Sequence, residues 1–245
     1  MIKLENLTKD FARVRAVDHL NLHVGAGQIF GFLGPNGAGK TTTIRLITGL
    51  LHPTFGKVLI DGVDMDERPR HAKERIGYVP DHPFLYERLS GREFIEFQAQ
   101  LRLMRPPAFK PRLEELSGLF SMDGWLDERI ESYSQGMRQK VATAAALIHD
   151  PALIVLDEPL VGLDPKSARI FKDMLRQRAS SGATVFLSTH VLPIAQELCD
   201  RLAIISRGRL IAEGTFDEIK NLQDSNLETA FLRITEERER PELKQ

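Results

Sequence analysis

A single loop constrains this chain more than anything else in it. The apolar run Ile29–Leu33 leads directly into Gly34-Pro35-Asn36-Gly37-Ala38-Gly39-Lys40-Thr41-Thr42. From Gly34 to Thr41 the spacing is G-x-x-x-x-G-K-[ST]. A buried strand thereby delivers the backbone to a turn with few side chains, where successive N–H groups converge on anionic oxygens. A helix starting near Gly39 adds its positive dipole end. Such a loop selects a parallel α/β architecture and a polyphosphate ligand. Lys40 is expected to reach the β- and γ-phosphates, and the Thr41 hydroxyl to ligate magnesium. A nucleoside triphosphate, ATP, with Mg2+ is the ligand these residues predict.

A second element supplies what a triphosphate site still needs. Leu153–Leu156 predicts a buried strand that ends in Asp157-Glu158-Pro159. Two acids at the carboxyl end of a strand stand where ligands bind in open α/β sheets. Asp157 is expected to hold magnesium through water, and Glu158 to orient and deprotonate an attacking water.

Elsewhere, short apolar runs alternate with longer amphipathic stretches, as in a parallel sheet flanked by helices. Ile76–Val79, Thr184–Ser188 and Leu202–Ile205 complete the predicted buried strands. Ile2–Leu7, Leu20–Val24 and Lys57–Ile60 predict a small antiparallel sheet, and Arg207-Gly208 a hairpin turn. The stretch from Ser90 to His149 predicts helices, among them Glu93–Met104 with Phe94, Phe97 and Leu101 at helical spacing. Pro106, Pro107 and Pro111 predict a basic loop over Arg105–Arg112, because proline breaks helix interiors. The net charge is -1, with 33 Lys and Arg against 34 Asp and Glu, so nucleic acid is not the expected partner. No apolar run approaches the ~18 residues that span a bilayer. Cys199 is the only cysteine, so no internal disulfide forms.

With both acidic and glycine-rich elements in place, the chain resembles the ATP-binding cassette (ABC) family from Ile2 to about Ile234. Tyr133-Ser134-Gln135-Gly136-Met137 stands at the family's signature position, Pro159–Pro165 at its D-loop, and Ser188-Thr189-His190 at its switch histidine. Phe11 stands where the family stacks an aromatic ring on adenine. The resemblance implies a P-loop NTPase fold of class α/β. Its RecA-like, mostly parallel core would carry an N-terminal antiparallel β subdomain and a helical subdomain inserted at about 84–150. Residues 1–235 would form one ABC ATPase domain, followed by a charged tail at 236–245. It also implies that Ser134 and Gly136 touch the γ-phosphate held by a second copy. Asp164 would couple the two sites, and His190 would contact the γ-phosphate and steady Glu158. A lone histidine at a strand end is otherwise ordinary polar surface. Two departures stand out: Asp81 replaces the family's Q-loop glutamine and becomes a candidate magnesium or water ligand, and the signature carries Tyr133, Gln135 and Met137 in place of its usual residues.

These variants, and the ending Leu227–Thr235, are similar to the branch serving ABC-2 type exporters. The resemblance implies an ATP-hydrolysing subunit that dimerises on ATP and drives a separate permease. It would lie in the cytoplasm against the inner membrane face. Phe84 and Tyr86 are expected to anchor a permease helix. Two alternatives remain at this stage: a non-transport ABC ATPase of DNA repair or translation, and a nucleotide-gated regulatory subunit.

Overall fold

The computed structural model describes residues 1–160 and 162–222; Leu227–Thr235 and the 236–245 tail lie outside the described residues. The chain opens with β1 (Ile2–Phe11) and β2 (Val14–Val24), paired antiparallel around a tight turn in which Ala12 takes φ 45°. Alternating residues of β1 and β2, including Ile2, Leu4, Leu20 and Leu22, face inward and are buried, as period-two patterning requires. Then follow β3 (Ile29–Leu33), α1 (Lys40–Ile47), β4 (Phe55–Ile60), β5 (Val63–Asp64), α2 (Pro69–Lys73) and β6 (Ile76–Val79). Three helices come next: α3 (Gly91–Leu101), α4 (Pro106–Phe120) and α5 (Gln135–Leu147). The chain then returns through β7 (Leu153–Asp157), α6 (Pro165–Ser180), β8 (Thr184–Thr189), α7 (Leu192–Leu198), β9 (Arg201–Ser206), β10 (Arg209–Gly214) and α8 (Phe216–Leu222).

Two sheets result. The first is antiparallel with order β2-β1-β4-β5; the second has order β10-β9-β3-β8-β7-β6, parallel throughout except for β10. The fold class is the expected one, an α/β core on a mostly parallel sheet with an antiparallel sheet packed on it. Between the sheets, Phe30 stacks on Phe186 with ring centroids 5.9 Å apart, and Phe32 lies 5.3 Å from the same ring. All three are fully buried. Each side chain removed from water contributes about 1.5–3 kcal/mol. The opposite face of the large sheet is covered by α3, α5 and α6, whose Phe94, Ile95, Val141, Phe171 and Leu175 join Ile154 and Leu187 in a second core.

The parallel run has a functional consequence. The carboxyl ends of β3, β6, β7 and β8 all point to one edge, so Gly34, Asp81, Glu158 and His190 emerge there. In-register pairing sets Asp157 of β7 directly opposite Ser188 of β8.

The expected loop over Arg105–Arg112 is corrected by the structure, which makes it the first half of α4. Pro106 and Pro107 occupy the first turn, where the N–H groups have no intrahelical acceptor in any case. Only Pro111 lies in the interior, and there it removes one backbone bond. The helix is held regardless, because Leu113, Leu116 and Phe120 bury its apolar face. Among the described residues no helix is long and apolar enough to cross a membrane.

Candidate functional site

The glycine-rich loop is shaped by close approach. A Cβ on Gly34 would lie 2.4 Å from the Ile205 carbonyl, and one on Gly39, at φ 107°, would lie 2.5 Å from the Ala16 carbonyl. No larger residue fits either place without moving backbone. The Ala38 amide donates to Pro35 O at 3.1 Å, and the Thr43 amide to Gly39 O at 2.9 Å, which starts α1. Lys40, the first residue of α1, is buried; its ammonium donates to Gly34 O at 2.7 Å and Pro35 O at 3.3 Å. It also lies 3.8 Å from Glu158 Oε1. The lysine is thus already desolvated and aimed across the loop by its own backbone.

Asp157 ends β7 with 2% of its surface exposed. The Ser188 hydroxyl across the ladder donates to its Oδ1, which leaves Oδ2 for other partners. Glu158 takes φ 48°, a left-handed value uncommon outside glycine and held in front of Pro159. That turn is fixed by its amide, which donates to Ser188 O at 3.2 Å and to Ser188 Oγ at 3.3 Å. The bend swings the Glu158 carboxylate over the sheet edge. There His190 Nδ1 donates to Glu158 Oε1 at 2.8 Å. Tyr78, largely buried nearby, has its phenol pushed up to about 12 by burial and then by the charge of Asp157, so it stays neutral.

Lys40, Asp157 and Glu158 border one cavity of about 570 Å³. Phe11, Asn36, Gly37, Gly39, Lys40, Thr41, Thr42, Asp81, Asp157 and Glu158 all line it. Asp81 also has His82 Nε2 3.6 Å from its carboxylate. Gly34, Pro35 and Ala38 do not line the cavity but shape the loop: Gly34 packs on Ile205, Pro35 O receives Lys40, and Ala38 is buried. His190 reaches the site through Glu158.

Ser134, Gly136 and Asp164 lie outside the cavity. Ser134 caps α5, accepting from the Met137 amide at 3.3 Å, and stands exposed. Asp164 caps α6 with both oxygens, from the Ser167 amide at 3.0 Å and the Ser167 hydroxyl at 2.6 Å. That hydroxyl bond is the main cause of its lowered carboxyl pKa. Phe84 is 83% exposed and Tyr86 47%, and Tyr86 makes edge contacts with Phe84, Phe94 and Phe97. They therefore belong to the surface rather than the core.

Sequence reasoning missed one side of the cavity. Val14, Arg15 and Ala16 from β2 and Arg207-Gly208 from the β9–β10 turn also line it. Nothing local in the sequence announces that residues some 190 positions apart share a rim.

The family model described as ABC transporter matches residues 17–161. An ABC transporter ATP-binding protein of Nostoc sp. is 39% identical over 215 residues, covering 87% of this chain and 64% of the relative. The chain therefore spans less than two thirds of that relative's length. The daunorubicin/doxorubicin resistance ATP-binding protein DrrA of Streptomyces peucetius is 38% identical over 226 residues, covering 92% of this chain and 68% of DrrA. Among solved structures, the dimeric post-hydrolysis state of the ATP-binding cassette MJ0796 bound to ADP and Pi aligns with a TM-score of 0.80 at 27% identity. The alignment covers 88% of this chain and 98% of that one.

Proposed function

This chain belongs to the ABC transporter family as one of its ATP-binding cassettes, and from that premise we propose that it is the ATPase subunit driving a separate membrane permease, in the direction of export. The observation that carries the reading is the convergence of Lys40, Asp157 and Glu158 on one cavity, with His190 bonded to Glu158 at 2.8 Å.

The residues divide the work by their chemistry. Phe11 offers a ring face to the adenine, and the amides of Asn36 to Thr42 face the phosphates. Lys40 neutralises charge between the β- and γ-phosphates. Glu158 takes a proton from the attacking water, whose oxygen forms the new bond to the γ-phosphorus as the bond to the ADP oxygen breaks. His190 fixes the carboxylate and reaches toward the γ-phosphate. Mg2+ fits the donors present: Thr41 and Asp157 are hard oxygen ligands, with Asp81 close by. Among the described residues no group of three or more His, Cys, Asp or Glu is placed to cage a metal alone. That suits an ion shared with substrate phosphates. When bound, it would neutralise charge on the β- and γ-oxygens.

The exposed N-terminus of α5, with Ser134 and Gly136, completes the site of a second copy of this or a related subunit. The likeness to a dimeric cassette supports that arrangement, and the likeness to a drug-resistance ATP-binding protein supports export. Exposed Phe84 and Tyr86 would receive a permease helix, which would hold the subunit against the cytoplasmic face of the membrane.

The test is ATP turnover by the wild type and by Glu158→Gln, which keeps size and hydrogen bonding but removes the base. Loss of a general base lowers the rate by about 10²–10⁴-fold. Equal rates for the two proteins would remove Glu158 from catalysis.

A further inference from the structure

The rim of the cavity holds a cation that the hydrolytic residues do not use. Arg207 is the first central residue of the two-residue turn between β9 and β10, at φ 50°, followed by Gly208 at φ 78°. Such a turn is made most easily by Asn-Gly or Gly-Gly. An arginine at a left-handed position carries a conformational cost that the turn itself does not require.

The neighbouring charges are already matched. Arg15 donates to Asp10 at 2.8 Å and to Asp18 at 3.2 Å. Asp18 also accepts from Arg209 at 2.5 Å and from His19 at 2.7 Å. Arg207, by contrast, is exposed at the cavity and has no carboxylate partner among the described residues.

Its position along the ligand follows from what holds the turn. The Gly208 amide donates to Ala38 O at 2.8 Å, in the phosphate loop, and Gly208 O accepts from the Asp18 amide at 2.9 Å, in β2. A Cβ on Gly208 would lie 2.8 Å from Ala16 O. The turn is thus wedged between the phosphate loop and the hairpin that carries Phe11. Between a base on Phe11 and terminal phosphates near Lys40 and Glu158, the anionic group left for Arg207 is the α-phosphate.

We propose that Arg207 is a nucleotide-binding residue that grips the α-phosphate and so sets affinity for ATP and ADP alike. This rests on the nucleotide reading of the cavity. The experiment is calorimetric titration of wild type, Arg207→Asn and Arg207→Lys with Mg-ATP and with Mg-ADP. Asn and Gly tolerate the left-handed turn, so Arg207→Asn keeps the fold, with Arg207→Gly as the second variant should melting show otherwise. Arg207→Asn is expected to weaken both nucleotides by the same factor, about five- to tenfold. The deficit shrinks at high salt, and Arg207→Lys recovers part of it. Unchanged affinity for both nucleotides overturns the proposal, as does a loss confined to ATP, which would move the contact to the γ-phosphate. A wild type that binds neither nucleotide overturns the ATPase reading instead.

Discussion

Ser188→Ala isolates the support beneath Asp157, the carboxylate proposed to hold magnesium. Ser188 is fully buried, and its hydroxyl both donates to Asp157 Oδ1 and accepts from the Glu158 amide at 3.3 Å. The substitution removes little volume and leaves the second Glu158 amide bond, to Ser188 O at 3.2 Å, in place. What is lost is the longer arm of the shared Glu158 amide bond and, of greater weight, the charge-assisted bond to a carboxylate that is 2% exposed and cannot recruit water in exchange. A bond of that kind is worth about 1.5–3 kcal/mol. For a chain of this size each kcal/mol moves the melting temperature by about 2–4 °C, so a drop of roughly 3–12 °C is expected. Loss of an outer-shell partner also weakens metal affinity by about 10–100-fold, which raises the magnesium needed for half-maximal ATP turnover. Circular dichroism melting and a magnesium titration of turnover read the two effects separately. A Ser188→Ala protein with the parent melting temperature and the parent magnesium dependence would refute the idea that this hydroxyl holds Asp157.

Ser134→Arg places a long cation at the exposed α5 N-terminus; ATP binding to the monomer should persist while ATP-dependent dimerisation in light scattering disappears, and undiminished dimerisation removes Ser134 from the interface. His149, half-buried with Nε2 3.1 Å from Arg102, has its pKa lowered to about 4 by desolvation first and the Arg102 charge second. The unfolded chain then binds the extra proton between pH 6.5 and 4. Stability is retained above that window and falls on acidification through it by at most about 1.4 kcal/mol per pH unit. Chemical denaturation of His149→Gln at several pH values should give a flatter curve, and a parallel curve would mean that His149 does not carry this dependence. Pro111→Ala restores the missing helical donor in α4 and should raise the unfolding free energy by about 1 kcal/mol or more, read as a higher denaturation midpoint; a lowered midpoint would show that the proline ring packs favourably.

How far the fold could be read depended on how local its causes were. β3 and β6 are legible to the residue, because each is a short apolar run stopped by Gly34 or Pro80. β7 and β8 run one residue further than their apolar stretches, since Asp157 and Thr189 remain on the ladder after hydrophobicity ends. β2 begins at Val14, well before its apolar stretch at Leu20, because pairing with β1 extends it through polar residues. In α4, Pro106 and Pro107 read as breakers, yet position within the first turn made them harmless. In the candidate site, the phosphate loop, Asp157 and Glu158 could be read because each lies at the end of a legible strand, whereas His190 was singled out only by the family resemblance. Arg15 and Arg207 could not, because only the meeting of β2 with a distant hairpin turn gives them a common surface.

The placement of β3 has a consequence for synthesis. It lies between β8 and β9, so both strands that complete its backbone pairing are made more than 150 residues after it, and Ala38 waits for the Gly208 amide. Such long closures are formed late and at an entropic cost. A nascent chain still short of Arg201 lacks one flank of this strand and the turn that bonds Ala38, so the phosphate loop is braced on that side only after the last parallel strand has been made.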